Sequence, residues 1–246
     1  MTSVDTHDEE LEGPFDIDDF DDPSVAALAR LDLGSVLIPM PEAGQVQVEL
    51  NETGAPSAVW VVTPDGRFTI AAYAAPKSAG LWREVASELA DSLRKDAPKV
   101  SIEDGPWGRE VVGSASEGAA VVRFIGVDGY RWMVRCVVNG PYERMAELAE
   151  QARNALADTV VRRGDTPLPV RTPLPVQLPE PMAAQLAAAQ QQAVAQQQAA
   201  AQQQQAPAQQ QAPEQPAPAQ QEPPQPNARR STMGSAMQQL RTITGG

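Results

Sequence analysis

The chain has 246 residues, a formal net charge of −13, one cysteine and one histidine. A net acidic chain disfavours sequence-independent binding to nucleic-acid phosphates, and a single cysteine excludes both an intramolecular disulfide and a multi-cysteine metal site. No apolar run approaches the roughly 18 residues that span a bilayer, so the sequence predicts no nucleic-acid partner and no membrane span.

Composition divides the chain into a folded centre and two tails. Every aromatic side chain lies between Phe15 and Tyr142, and segments without large apolar side chains cannot offset the entropy lost on ordering. The predicted segments are a disordered acidic arm (1–24), an α+β domain (25–165), a Pro-rich extended segment (166–181), a partly helical Gln/Ala/Pro low-complexity linker (182–228) and a short amphipathic end (229–246).

The acidic arm carries ten carboxylates and three large apolar side chains, Phe15, Ile17 and Phe20. Such a composition is typical of disordered segments that bind a partner. The alternative, which we favour, is that these apolar residues pin the arm to its own domain.

The domain begins with short strands predicted near 35–38 and 45–50, followed by a hairpin around Pro64-Asp65-Gly66. A glycine at this position permits a three-residue loop with a bulge. That register sets Thr63 opposite Arg67 and collects four apolar side chains on one face: Trp60, Val62, Phe68 and Ile70. Because both faces are largely apolar, we expect a central hairpin that is covered on both sides.

Two amphipathic helices are predicted from apolar residues at helical spacing. The first lies between Ser78 and Pro98, and the second follows Pro141. Strands around the Trp107 turn and around Asp128-Gly129 separate the helices. This order predicts an α+β domain with a mainly antiparallel sheet of about 6–8 strands built from hairpins, and it leaves no room for the repeated βαβ crossovers of a dinucleotide fold.

The only cysteine, Cys136, lies in the last predicted hairpin. A three-residue loop from Val127 to Gly129 sets Phe124 opposite Trp132 and turns Cys136 inward, where a thiol is unreactive. The same register places three arginines together on the opposite face as a candidate surface for an anion or for the acidic arm: Arg123, Arg131 and Arg135. Solvated or internally paired arginines are the ordinary alternative.

Catalytic patterns are not found in the sequence. The one histidine, His7, lies in the acidic arm, whereas a nucleophile–histidine pair needs a histidine that a scaffold holds rigidly. Neither a GxxxxGK[ST] phosphate loop nor a GxGxxG turn that opens a helix occurs. We therefore predict no catalytic residue, no cofactor and no metal site, and a protein that is not an enzyme.

The C-terminal end differs from the linker before it. Met233, Met237 and Leu240 recur at helical spacing, and a short amphipathic segment beyond a long linker is a common form of docking peptide. These residues are a candidate surface for docking a partner, and the alternative is a frayed terminus without a role.

Several motifs carry a resemblance to a known family, among them "GPFDIDD", "RLDLGSVLIPMP", "DGPWGREV", "VRFIGVDGYRWMVRCVVNGP" and "DTVVRRGDTPLPVRTPLPVQLPE". Over about residues 13–180 the chain resembles an actinobacterial family of uncharacterised proteins, domain of unknown function 3710. The resemblance implies a cytoplasmic actinobacterial protein and no particular activity. The order of elements also resembles small sandwiches of the Mog1/PsbP type, which usually bind proteins, although fold alone does not determine function.

Two functions remain open at this point. The first is a non-catalytic protein-binding or scaffold module whose tail and C-terminal helix contact an unidentified protein partner. The alternative is a small-molecule or anion-binding protein, or an enzyme, that uses a cleft beside the sheet near Trp107 and the arginine face.

Overall fold

The computed structural model describes residues 12–115 and 120–204, and this part of the chain forms eleven strands and four helices. The strands are β1 (Phe15–Asp16), β2 (Arg30–Asp32), β3 (Val36–Pro39), β4 (Gln45–Leu50), β5 (Pro56–Thr63), β6 (Gly66–Ala74), β7 (Lys99–Gly105), β8 (Gly108–Ser114), β9 (Val121–Asp128), β10 (Trp132–Gly140) and β11 (Val160–Val161). The helices are α1 (Pro23–Ala26), α2 (Leu81–Asp96), α3 (Met145–Ala157) and α4 (Glu180–Gln204). None of these helices is both long and apolar enough to cross a bilayer.

The strands form two sheets. The larger has seven antiparallel strands in the order β4-β5-β6-β10-β9-β8-β7, and the smaller has the order β1-β11-β3-β2. In the smaller sheet β1 runs parallel to β11, while the other pairs are antiparallel. The predicted α+β class with a mainly antiparallel sheet is confirmed.

The two long amphipathic helices cover opposite faces of the seven-stranded sheet. Met133 packs in one apolar cluster with Leu81 and Trp82 of α2, and its neighbour Val134 packs in another with Leu148 of α3. Successive residues of a strand point to opposite faces. The small sheet lies on the α3 side, because its residues Val36, Ile38 and Val161 belong to the same cluster as Val134 and Leu148.

The predicted register of the first hairpin is wrong by one residue. Thr63 pairs with Gly66 rather than with Arg67, so the loop has two residues. The face buried on the α3 side therefore holds Val59, Val61, Phe68 and Ile70, and not Trp60 or Val62. Gly66 is needed in the strand, because a Cβ there would lie 2.6 Å from Cδ2 of Leu148 on α3.

The predicted register of the last hairpin is also wrong. Cys136 pairs with Ile125 rather than with Ala120, and the connection runs from Gly129 to Arg131. Asp128, expected in the loop, ends β9 and accepts hydrogen bonds from the backbone N–H groups of Gly80 and Trp82 at the start of α2. This contact explains why the turn begins only after Asp128.

The end of the acidic arm belongs to the ordered domain. Phe15, Ile17 and Phe20 pack against a cluster that includes Leu37 and Val160, and β1 pairs with β11. The structure supports the interpretation that the apolar residues pin the arm to the domain, and the predicted bound at residue 24 is too late. Residues 1–11 lie outside the described residues.

Candidate functional site

The Cys136 thiol is in the core, as predicted. The residue has no solvent exposure and packs in the cluster that contains Val134 and Val138. Burial raises the pKa of the thiol, and the nearby Glu110 carboxylate raises it further. A thiol held in its protonated form is a poor nucleophile, so Cys136 contributes packing.

The three predicted arginines do not form a shared surface. Arg123 pairs with Val138 and so faces the α3 side of the sheet, the face of Cys136. Arg135 lies on the α2 side, with its guanidinium 4.9 Å from the ring centroid of Tyr73. Arg131 lies in the turn between β9 and β10 with a φ of 64°. The predicted common face depended on the wrong register.

Arg123 belongs to an ion-pair network that we call the charge cluster, made of Glu103, Glu110, Arg123 and Arg153. Glu103 and Glu110 are direct cross-strand partners on β7 and β8, where like charges destabilise a sheet. Arg123 bridges them, with Nη1 2.6 Å from Glu110 and Nη2 2.8 Å from Glu103. Arg153 of α3 donates from Nε and Nη2 to the two Glu110 oxygens.

Burial distinguishes the members of the charge cluster. The Glu110 side chain is 2% exposed and that of Glu103 is 45% exposed. The hydrogen bond to Glu110 raises the pKa of Arg153. Burial acts to raise the pKa of Glu103, but the bonds from Arg123 outweigh it and lower this pKa. Each charge has a partner, and a mutually compensated cluster of this kind ties α3 to the sheet.

Arg131 and the ordered end of the acidic arm line one small cleft. Asp16 and Asp18 contribute one side of it, and Arg131, Arg162 and Arg163 contribute the other. This cleft brings one predicted arginine close to the arm, whereas Arg123 and Arg135 do not line it.

A second cleft, of about 500 Å³, lies beside the start of α2 where sequence reasoning placed a possible ligand site. Trp82, Trp107, Arg83 and Arg109 line it together with Asp128. Trp82 Nε1 donates to the Arg109 carbonyl, and Asp128 bonds backbone amides of α2. Trp82 and Asp128 are therefore bonded within the domain, whereas the Trp107 Nε1 atom is buried without a hydrogen-bond partner among the described residues.

A more distinctive site lies on β6, which loses its partner strand halfway along. β5 pairs only with the first four residues of β6, from Gly66 to Thr69, whereas β10 pairs with β6 as far as Ala74. Among the described residues, no strand of the sheet covers this edge along the second half of β6. We call this edge at Ala72–Ala74, with the adjoining Leu33–Gly34 backbone, the β6 groove.

Residues 171–177, which we call the strap, fill the β6 groove. The Ala74 N–H donates to the Thr172 carbonyl at 2.8 Å, and the Leu174 N–H donates to the Ala72 carbonyl at 2.8 Å. At the ends of the strap, the Arg171 N–H donates to the Ala74 carbonyl at 2.7 Å and the Gln177 N–H donates to the Leu33 carbonyl at 2.9 Å. The strap thus links the two sheets through two isolated antiparallel bridges, Tyr73 with Pro173 and Gly34 with Val176.

The prolines of the strap suit this role. Pro173 lies directly opposite Tyr73, whose backbone groups pair with β10. In an antiparallel ladder, alternate residues direct their N–H groups to opposite edges, so a proline at an outward position removes no bond. Pro175 follows at the same alternation. The Thr172 carbonyl and the Leu174 N–H bond the groove, while the Thr172 N–H donates to the Pro169 carbonyl. The two prolines offer no outward N–H donor to a further strand.

Side chains anchor the strap at two points. Leu174 is 4% exposed and joins the main core cluster. Arg171 binds two carboxylates of α2: Nη1 lies 2.8 Å from an oxygen of Glu88 and Nη2 lies 3.2 Å from an oxygen of Glu84. The hydrogen bond with Glu88 raises the pKa of Arg171. The groove therefore binds an apolar side chain, Leu174, while the cation three residues before it, Arg171, pairs with the carboxylates of α2.

Sequence reasoning placed the Pro-rich segment along the domain surface but did not identify the groove. The available signal was the alternation of proline with Thr, Leu and Val, which is suited to an edge strand. The docking residues predicted near the C-terminus, Met233, Met237 and Leu240, lie outside the described residues.

Comparison with known proteins gives a family and two weak structural likenesses. The family described as "Protein of unknown function (DUF3710)" matches residues 13–185. No curated protein matches the chain.

The first solved structure is a crystal structure from Bacteroides thetaiotaomicron VPI-5482, with 14% identity and a TM-score of 0.35 over 57% of this chain and 51% of that chain. The chain thus spans about half the length of that protein. The second is the solution structure of cyanobacterial PsbP (CyanoP) from Synechocystis sp. PCC 6803, with 8% identity and a TM-score of 0.33 over 55% of this chain and 94% of that chain. Both TM-scores are below 0.5.

Proposed function

The chain belongs to the DUF3710 family of proteins of unknown function, and we propose its role from its own contacts: a non-catalytic protein-binding module whose β6 groove binds an extended, proline-containing segment by strand addition. The single observation that supports this proposal most directly is the strap. It shows a bound segment of this type, held by four backbone hydrogen bonds to the groove.

When a peptide binds by strand addition, different contacts determine its affinity and its sequence selectivity. Backbone hydrogen bonds to a free sheet edge contribute affinity for any extended chain, while pockets for alternate side chains contribute specificity. In the strap, Leu174 fills an apolar pocket and Arg171 binds Glu84 and Glu88. A partner segment with the same features would compete with the strap for the groove.

The experiment uses the full chain with Leu174→Asp, which places a charge in the apolar pocket and releases the strap. A fluorescent peptide with the sequence of residues 170–178 is then titrated against it by anisotropy. We expect saturable binding to the variant and much weaker binding to the wild-type chain, because the wild-type strap occupies the groove. Hydrogen exchange at the Ala74 amide should slow again when the peptide binds.

A matched control is Val170→Asp, which adds the same charge at a residue that is 49% exposed and outside the strap. This variant should bind the peptide no better than the wild-type chain. The proposal is wrong if Leu174→Asp keeps its fold by circular dichroism, exposes the Ala74 amide and still binds no peptide.

The second candidate function is binding of an anionic aromatic molecule in the cleft beside α2. Two tryptophans and two arginines line this cleft, and the Trp107 Nε1 atom is buried without a hydrogen-bond partner among the described residues. A screen of anionic aromatic compounds by tryptophan fluorescence, with Trp107→Phe as the control, tests it. Saturable quenching that Trp107→Phe abolishes would favour this candidate.

Three further expectations stay part of the proposal. They are a cytoplasmic location, an actinobacterial origin and a contact between residues 229–246 and a protein partner. A pull-down from an actinobacterial lysate with the full chain and with a chain that ends at residue 228 tests the last of these. A partner that both chains retain equally would contradict docking through Met233, Met237 and Leu240.

A further inference from the structure

The groove-binding sequence occurs twice in the chain. Residues 166–170 and residues 172–176 both read Thr-Pro-Leu-Pro-Val, six residues apart. We call them the first copy and the second copy. Leu174 of the second copy is buried, while the first copy places Leu168 at a partly buried position and leaves Val170 49% exposed. Identical residues thus occupy two different environments.

The first copy is within reach of the same groove. It lies in a segment that leaves one corner of the domain and returns to it. Arg163 Nε donates to the Arg131 carbonyl at 3.0 Å, and the same carbonyl accepts from the Ala75 N–H at 2.9 Å. Arg171 then pairs with the adjacent Ala74. Residues 164–170 therefore form a loop whose two ends are held close together, beside Ala75 and Ala74.

The copies are identical but their flanking residues differ, and the residues that precede them carry opposite charges. Arg171 precedes the second copy and Asp165 precedes the first. With the second copy docked, Arg171 binds Glu84 and Glu88 of α2. With the first copy docked in the same position, Asp165 would face these two carboxylates, and two attractions would become two repulsions. Discrimination by an unfavourable contact is a recognised source of specificity.

We infer that Glu84 and Glu88 are specificity-determining residues, which select the second copy over the first and restrict the β6 groove to segments in which a cation precedes Thr-Pro-Leu-Pro-Val. The selection within the chain stands on the contacts described above. Its extension to a partner segment rests on the proposed function.

The experiment reads which copy is docked from the accessibility of a thiol. Val170→Cys and Val176→Cys are made singly in the full chain, both in the wild-type background and with Glu84→Lys/Glu88→Lys. The native Cys136 is fully buried and should not react with a maleimide. In the wild-type background, labelling at position 170 should be about tenfold faster than at position 176, because docking protects the second copy.

Charge reversal on α2 should invert this order. Asp165 would then be attracted and Arg171 repelled, so the first copy docks and position 170 becomes the protected one. Two acids at the other end of α2 offer the control Asp91→Lys/Asp96→Lys, which changes the net charge equally and should leave the order unchanged.

Two results would overturn the inference. If position 176 stays protected after charge reversal, the carboxylates do not select the copy. If both positions label rapidly, the strap has left the groove and the first copy does not fit there. No added peptide is used, so a failure of the proposed function would appear separately, in the titration with the peptide of residues 170–178.

Discussion

Two arginine-centred ion-pair networks differ in burial more than in composition: the charge cluster, and the pairs of Arg171 with Glu84 and Glu88, which we call the strap anchor. In the charge cluster, Arg123 and Glu110 have side chains 13% and 2% exposed. In the strap anchor, Arg171 is 42% exposed, and Glu84 and Glu88 are 69% and 60% exposed. The same chemistry therefore operates in two dielectric environments.

This contrast in burial predicts different roles for the two networks. A buried charge that loses its partner is costly, because neither water nor another charge compensates it. An exposed ion pair contributes little to stability, because water and salt screen it. We therefore expect the charge cluster to maintain the fold and the strap anchor to bias which segment occupies the groove.

The largest expected effect comes from Glu110→Gln, which leaves Arg123 and Arg153 without their shared buried carboxylate. The free energy of unfolding should fall by about 3–5 kcal/mol, as measured by denaturant unfolding. Glu103→Gln, at the exposed end of the same cluster, should cost about 1 kcal/mol or less. Equal losses in the two variants would show that burial does not separate them.

Leu174→Ala should have the next largest effect, because the strap then loses its buried apolar contact. We expect a loss of about 2 kcal/mol, at the low end for a buried leucine because the strap can detach locally instead of leaving a cavity. Leu168→Ala, at the same position of the first copy, should cost clearly less. Urea unfolding of both variants measures the contrast, and equal losses would indicate that both copies pack equally well.

Arg171→Ala should change global stability little and strap protection measurably. Exchange of the Ala74 amide should be faster than in the wild-type chain at low salt, and the two rates should converge in high salt, where exposed ion pairs are screened. Hydrogen exchange at two salt concentrations makes the measurement. A difference that persists undiminished in high salt would show that Arg171 acts through packing.

The smallest effect concerns acid sensitivity near the far end of the strap, where Arg162 binds Asp32. Burial acts to raise the pKa of Asp32, but hydrogen bonds from Arg162 and from the Gly34 N–H lower it below 3.8. The ionised carboxylate therefore stabilises the fold above about pH 3.8, and this contribution is lost as the pH falls through the lower folded-state pKa. The melting temperatures of the wild-type chain and Asp32→Asn should differ at neutral pH and converge in acid; a constant difference would contradict this assignment.

Much of the domain could be predicted from local patterns. Both amphipathic helices, the central hairpins and the burial of Cys136 follow from periodicity, which is encoded by neighbouring residues. The registers did not follow, because Gly66 and Asp128 looked like loop residues. Leu148 of α3 needs the space beside Gly66, and the start of α2 needs the Asp128 carboxylate. Neither requirement can be read from the hairpins themselves.

The α+β class, the ordered centre and the two copies of Thr-Pro-Leu-Pro-Val can be read from the amino-acid sequence, because composition, periodicity and repetition are properties of the chain alone. The folded structure was needed to show that Arg123 is part of a buried cluster while Arg135 lies on the opposite face of the sheet. It also decided that one copy lies in the β6 groove and the other outside it. The physical reason is the same in each case: burial and charge pairing depend on residues far apart in sequence, here α2 and α3 against the sheet and the strap.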